Sequence, residues 1–303
     1  MFRKTAALAA ISAAMAVSGC GANQAPNAAA AGDGHPSAAG ASSAVASGQT
    51  VAINKTAWYD GLKLAFESVS YDPSGKITVS VTAENNTPNA MNLGNISSTF
   101  TVDGHSQRGG FATDTMLAGG DTGKETMTFD AAELVKDPAS GVINVGAGDE
   151  AQAIVPVGSD GTLVDLQPKA VLAAPKTLTL AGLSYTVSTC DLRADFPSGQ
   201  KQAHKGKRLV TCAITVQNTY RTYIYIDSTQ FGIKPPDGPA FTATYQSFTR
   251  SEVAAGAKSD VTVAWEIPWP AAGTYALALS WLGQQGTDKP TVQNTGQVPL
   301  TMQ

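Results

Sequence analysis

Short runs in which apolar and polar residues alternate, each closed by Gly, Asn, Asp or Pro, fill most of the chain beyond residue 50, and they come twice in the same order. A period of two puts the apolar side chains of a run on one face, which suits a half-buried strand and not a helix. Ile77-Thr78-Val79-Ser80-Val81-Thr82-Ala83 stops at Glu84-Asn85-Asn86-Thr87-Pro88, as Leu209 to Val216 stops at Gln217-Asn218-Thr219. Ser98-Thr99-Phe100-Thr101 with Asp103-Gly104 is matched by Thr229-Gln230-Phe231-Gly232 with Asp237-Gly238. Leu117-Ala118-Gly119-Gly120 before Glu125 to Phe129 is matched by Val253-Ala254-Ala255-Gly256 before Asp260 to Trp265. Upstream, Gly61 to Phe66 pairs with Gly182 to Val187; downstream, Gly141 to Val145 pairs with Gly273 to Leu277. Five blocks in one order predict a duplicated domain. Each copy holds about seven short strands, which makes the body all-β and fits two tandem antiparallel β-sandwiches better than a barrel or propeller. The copies are placed at 51–157 and 176–303. Between them, residues 158–175 form a linker around Leu163-Val164-Asp165-Leu166, which either packs into the seam between the copies or adds a last strand to the first.

The N-terminal segment has a different character. Arg3 and Lys4 precede an apolar run from Ala6 to Val17, too short to cross a bilayer and of the length of a secretory core, so residues 1–19 are expected to be an export signal. The run ends in Val17-Ser18-Gly19-Cys20, which resembles the lipobox of bacterial lipoproteins. That resemblance implies a diacylglyceryl thioether on Cys20, often joined by an N-acyl chain such as palmitate. It also implies attachment to the cell membrane, facing its extracytoplasmic side, because two or more acyl chains hold firmly where one does not. Residues 21 to 50 contain eleven Ala, five Gly, four Ser and two Pro with Asp33 the only charge, a composition that buries no face. Residues 20–50 therefore read as a lipidated Cys and a disordered tether, with a reach of roughly 30 Å if flexible.

The Val-Thr-Ala-Glu-Asn-Asn strand end, the Ser-Thr-Phe block and the Gly-rich turn resemble an immunoglobulin-like domain of unknown function carried by many bacterial surface lipoproteins. That domain is similar to secreted immunogenic β-sandwich proteins of actinobacteria. The second copy also has the family's basic lead into its central strand, Lys205-Gly206-Lys207-Arg208-Leu209-Val210, whereas the first runs from Pro73-Ser74-Gly75 straight into Lys76. The resemblance implies tandem immunoglobulin-like sandwiches acting as a scaffold, and it brings no catalytic residues.

Once Cys20 is assigned to lipid, Cys190 and Cys212 remain as an even pair in an exported chain, where disulfides persist. They are expected to be bonded, with Cys190 just after the first strand of the second copy and Cys212 in its central strand, closing the excursion from Asp191 to Thr211. A redox or metal-binding pair is the alternative, without a Cys-x-x-Cys or a coupled His to support it. The excursion carries a Ser198-Gly199-Gln200-Lys201 sequence that lacks the partner motifs of acylating enzymes, and a basic run of Lys201, His204, Lys205, Lys207 and Arg208. That run is either a solvated loop or a site for an anionic wall polymer or lipid headgroups. Arg221, Tyr223 and Tyr225 fall on one face of an expected strand Tyr220 to Asp227, a composition found at protein contacts, although tyrosines also pack well in sheets.

Net charge is −4, with no basic field of the kind that neutralises phosphates, so nucleic acid is not expected as a partner. Six Lys or Arg against thirteen Asp or Glu in 51–157, and eleven against eight in 176–303, set the copies at −7 and +3. Three His and three Cys leave little for metal or nucleophilic chemistry. The loop carboxylates Asp103, Asp114 and Asp121 lack the alternating spacing of a Ca²⁺ loop and read as turn formers. The expectation is a noncatalytic, cofactor-free protein anchored through Cys20 that binds or scaffolds an unknown envelope protein or anionic wall polymer. An envelope hydrolase or metal carrier, and a ligand-free spacer, are the alternatives.

Overall fold

The structure is a computed structural model that describes residues 48–130, 135, 137–196, 201–283 and 292–302. The expected signal, Cys20 and nearly all of the tether lie outside them. Among the described residues the chain is all-β, with three short 3-10 turns and every ladder antiparallel. It builds two tandem immunoglobulin-like sandwiches.

In the first, eight strands form one sheet in the order Thr50–Tyr59, Leu62–Tyr71, Lys76–Asn85, Thr122–Asp130, His105–Phe111, Ser98–Val102, Val142–Val145, Ala153–Pro156. The sheet folds over on itself, since Phe100 on one half meets Tyr71 and Phe129 on the other, with ring centroids 6.1 and 5.6 Å apart. His105–Phe111 makes the turn-over possible by pairing with Ser98–Val102 on one side and Thr122–Asp130 on the other. It needs Gly109 there, because a Cβ would lie 2.0 Å from the Thr128 carbonyl and 2.5 Å from the Phe129 ring. In the second copy the same switch is made by two short strands, Phe241–Thr242 against Phe231–Lys234 and Tyr245–Gln246 against Lys258–Pro268, so two separate sheets result. They close on a core around Tyr185, Phe231 and Trp265, whose indole nitrogen donates to the Phe231 carbonyl at 3.3 Å.

The ladder registers carry the duplication down to single residues. Leu62 faces Asn85 and Phe66 faces Val81; Leu183 faces Asn218 and Val187 faces Ile214. Immediately after, both strands carry a bulge, between Phe66 and Ser68 and between Val187 and Thr189, which shifts the buried phase by one residue. Past it Val69 faces Val79, and Cys190 faces Cys212. Cys190 and Cys212 are disulfide-bonded. Cys190 therefore sits inside the strand Leu183–Arg193 and not after it: the bulge moves it onto the core face, where the first copy has a buried valine pair.

One block of the repeat is corrected. Phe100 faces Ile143 and Phe231 faces Leu279, so the counterpart of Gly141 to Val145 is Leu277 to Trp281, four residues beyond the stretch from Gly273. A slip by an even number leaves a period-two pattern unchanged, so alternation alone does not fix it.

The two copies meet over one apolar cluster in which Ala194, Phe196, Ala203, Leu209 and Ala264 of the second join the core of the first. Backbone bonds cross the same seam: Ala151 N–H donates to the Ala203 carbonyl at 2.7 Å and Lys205 N–H to the Asp149 carbonyl at 2.8 Å. The stretch 158–175 is tied at both ends. Val164 pairs with Ile154, Leu166 is buried in the first core, and Lys169–Ala170 pairs with Leu192 and Asp191 as an edge of the second sheet.

Candidate functional site

A type of turn that demands left-handed backbone opens the site. Between the first two strands Asp60 and Gly61 have φ of 50° and 75°, the geometry of a two-residue hairpin that matches strand twist. Their counterparts in the second copy, Ala181 and Gly182, have φ of 40° and 86°. There the corner is filled: the Tyr220 hydroxyl donates to the Ala181 carbonyl, and Trp281 Nε1 donates to that hydroxyl at 3.3 Å. By register, the first copy has Thr87 and Val145 where the second has Tyr220 and Trp281. There Thr87 closes on the turn, where a Cβ on Gly61 would lie 2.3 Å from its Cγ2, and Asp195 of the second copy comes near.

Asp60 of this turn also lines a cleft of about 240 Å³, built from the first copy by Tyr59, Asp60, Met91, Asn92, Ile96 and Glu150 among others, and from the second by Gln202. The Tyr59 hydroxyl donates to Glu150 Oε2 at 2.9 Å, and Ala147 N–H donates to the same oxygen at 3.2 Å. Burial, with the adjacent Glu150 charge, holds the Tyr59 phenol neutral well beyond its ordinary range. Gln202 is delivered by the short ladder Lys201–Gln202 against Asp195–Phe196. Asp195, 3% exposed, is held by Arg193 through bonds of 3.2 and 2.6 Å.

Asp60 is the unusual group. Burial foremost, then the Asp195 charge, push its carboxyl up to about 7; Glu150 adds to the rise, while the Gln202 amide and Arg193 favour the ionised form. Gln202 is 9% exposed, and although it faces Asp60, neither its Nε2 nor its Oε1 completes a hydrogen bond of ordinary geometry with the protein. An acidic, acceptor-rich cavity with a buried, unpartnered amide oxygen is suited to binding a polar ligand.

The residues expected from sequence to bind are distributed differently. The strand begins at Ile224, not Tyr220, because the Asn218 amide turns the preceding backbone by donating to the Thr222 carbonyl at 2.7 Å. Arg221 is left on the exposed turn ahead of it. Tyr223 and Tyr225 do share a ridge, 59% and 38% exposed, with rings edge to face at 5.5 Å. Sequence reasoning missed its third member, Arg250, whose guanidinium lies 4.0 Å from the Tyr225 ring centroid. The Tyr225 phenol is raised, first by its hydrogen bond to Glu252 and by that carboxylate's charge.

The basic run is not one surface. Lys207 Nζ and His204 Nδ1 both meet Glu266, at 2.9 and 2.7 Å, and the His204 N–H adds a bond of 2.7 Å. Burial opposes ionisation of Glu266, but the His204 N–H, Lys207 and the His204 ring outweigh it and hold the carboxyl low. Arg208 packs over Trp269 at 5.7 Å and donates to the Lys207 carbonyl, and burial pulls its guanidinium pKa down. Lys201, His204 and Lys205 are exposed in this run, and of these three His204 is the one tied to Glu266. Asp103 occupies a left-handed turn position before Gly104, and among the described residues no three His, Cys, Asp or Glu gather as a metal-binding group.

Asp60, Glu150 and Gln202 were not singled out from sequence. The Asp-Gly pair at 60–61 was a readable hairpin signal, but nothing local brings residues 60, 150 and 202 together. In comparisons with known proteins, no family model matches the chain and no curated protein matches its sequence.

Proposed function

We propose that this chain is an exported, lipid-anchored, noncatalytic protein that serves as a binding module at the cell envelope, held through Cys20 and presenting two fused immunoglobulin-like sandwiches beyond the membrane. The observation that carries the binding reading is the cleft at the seam. Both copies contribute side chains to it, and Gln202 is buried there with its amide turned toward Asp60 and its Oε1 left without a partner. A spacer without a ligand gives no reason to leave such a group unsatisfied. The exposed Tyr223, Tyr225 and Arg250 ridge adds a surface whose composition suits contact with an envelope protein. The Lys201 and Lys205 side chains are the remaining basic groups that could meet an anionic wall polymer.

Crosslinking of the intact protein in its own envelope, followed by identification of what is captured, tests the binding reading. A partner lost when Tyr223 and Tyr225 are changed to Ser, or when the cleft is altered, is the expected result, and recovery of the protein alone counts against it. For the anchor, Cys20→Ser should move the product from the membrane fraction to the medium; retention in the membrane would remove that assignment.

A further inference from the structure

We propose that the cleft between the two sandwiches binds a primary ammonium group, held by the Asp60 and Glu150 carboxylates and the Gln202 side-chain carbonyl. The inference rests on the binding reading above and names its ligand class.

The case is an inventory of donors, acceptors and charges. Acceptors are plentiful: two carboxyl groups from the first copy and Oε1 of Gln202 from the second all line one cavity. The donors that line it are neutral, the side-chain amides of Asn92, Asn95 and Gln202 and the Ser97 hydroxyl, while the Tyr59 hydroxyl is already spent on Glu150 and the nearby Arg193 guanidinium on Asp195. No Lys, Arg or His is among the residues lining the cleft, so its negative charge has no cation of its own. An ammonium ion brings three N–H donors and one positive charge, which matches three acceptors in a site with excess negative charge. The Tyr59 ring, Met91 and Ile96 supply apolar wall for a short alkyl stem, and about 240 Å³ has room for one of a few carbons.

Other ligand classes fit less well. An anion meets two carboxylates. A hard divalent cation takes six or more oxygens, often several of them from carboxylates, and among the described residues no group of three His, Cys, Asp or Glu forms. A neutral polyol satisfies hydrogen bonds but leaves the charge uncompensated. The ammonium could belong to a free small amine or to a side chain on an envelope peptide; the chemistry at the cleft is the same.

The interaction requires Asp60 ionised. The groups facing it are Asp195 and Glu150, which oppose ionisation, and Arg193 and Gln202, which favour it, with burial the largest influence. Affinity for an amine should therefore rise as pH passes through about 7, and fall again only when the amine itself deprotonates near pH 10.

Isothermal titration of the purified full-length protein with n-butylamine, cadaverine, Nα-acetyl-lysine N-methylamide, n-butanol and tetramethylammonium tests this. Saturable binding of the primary amines is expected, with n-butanol and tetramethylammonium inert. Asp60→Asn, which keeps a residue that tolerates the left-handed turn, should weaken the amines by at least tenfold and flatten the pH dependence; Gln202→Leu should weaken them without flattening it. Tighter binding of the lysine derivative assigns a peptide-borne amine, and tighter binding of cadaverine a free one. Equal binding of butanol and butylamine, unchanged affinity in Asp60→Asn, or no binding of any amine at pH 8 overturns the ammonium assignment. Those results leave the binding reading standing if envelope crosslinking still captures a partner, and that reading fails separately if it does not.

Discussion

At the scale of single residues, two asparagines do the same work in the two copies. Asn85 and Asn218 are both fully buried at the end of the central strand. The Asn85 amide donates to the Asn89 and Leu117 carbonyls and its Oδ1 accepts from Thr87 N–H; the Asn218 amide donates to Thr222 and Val253 and its Oδ1 accepts from Tyr220 N–H. An aspartate would put charge against carbonyl oxygens, so the neutral amide is required. These residues were legible as strand stops, but not as clamps, since Leu117 and Val253 lie 32 and 35 positions away. Asp60 shows the opposite balance: it is a half-buried acid whose surroundings favour the proton. Because its carboxyl is raised in the folded state, to about 7 from an unfolded value near 3.9, the folded protein binds the proton more tightly. Its contribution to stability is fully present below about pH 4 and is lost as pH rises toward 7. Thermal denaturation at pH 4, 6 and 8 should therefore show Asp60→Asn gaining on the parent as pH rises, with the gain levelling off above 7; other groups titrate in both proteins and cancel in the comparison. Melting curves whose separation is the same at all three values would contradict the assignment.

At the scale of elements, the disulfide is best understood as a substitution within a repeated strand pair. The bulge after Phe66 and its counterpart after Val187 put Val69–Val79 and Cys190–Cys212 in the same register, facing the core. A buried valine pair thus fills the equivalent position of the first copy's strands. Closing the 22-residue separation stabilises the second copy by about 3 kcal/mol on the chain-entropy estimate. The double variant Cys190→Val with Cys212→Val should fold with an unchanged far-ultraviolet spectrum and melt about 6–12 °C lower. Replacing both by Ala should lower it further, because it adds a cavity to the lost crosslink. A valine variant that melts no higher than the alanine one would mean the two pairs are not equivalent. The strands and their duplication were readable because alternation reports which face is buried. The four-residue register of Leu277 to Trp281 and the late start at Ile224 were not, since even slips preserve alternation and the Asn218 clamp overrides the β propensity of Tyr220 to Tyr223.

At the scale of the whole molecule, the seam decides whether duplication gives two beads or one body. Tandem domains move independently by default unless their interface is large and apolar. Here Ala194, Phe196, Ala203, Leu209 and Ala264 extend the first copy's core into the second, and the 147–151 and 203–205 segments exchange backbone hydrogen bonds beside the cleft. The opposite net charges of the copies were visible in sequence, but screening makes them a weak cause of this docking compared with the buried cluster. None of the seam residues stands out in its own segment, because each is an ordinary small or apolar residue whose partner lies in the other copy. The same geometry delivers Gln202 to a cavity otherwise built by the first copy, so binding there depends on the seam staying closed. Ala203 is fully buried in it. Calorimetry of the full-length protein should show one cooperative transition, and Ala203→Glu, which buries an unpaired charge between the copies, should split it into two. The variant should also lose amine binding at the cleft while the Cys190–Cys212 bond stays formed. A single transition with amine affinity intact would mean that the copies are held together elsewhere and that the cleft does not need this contact.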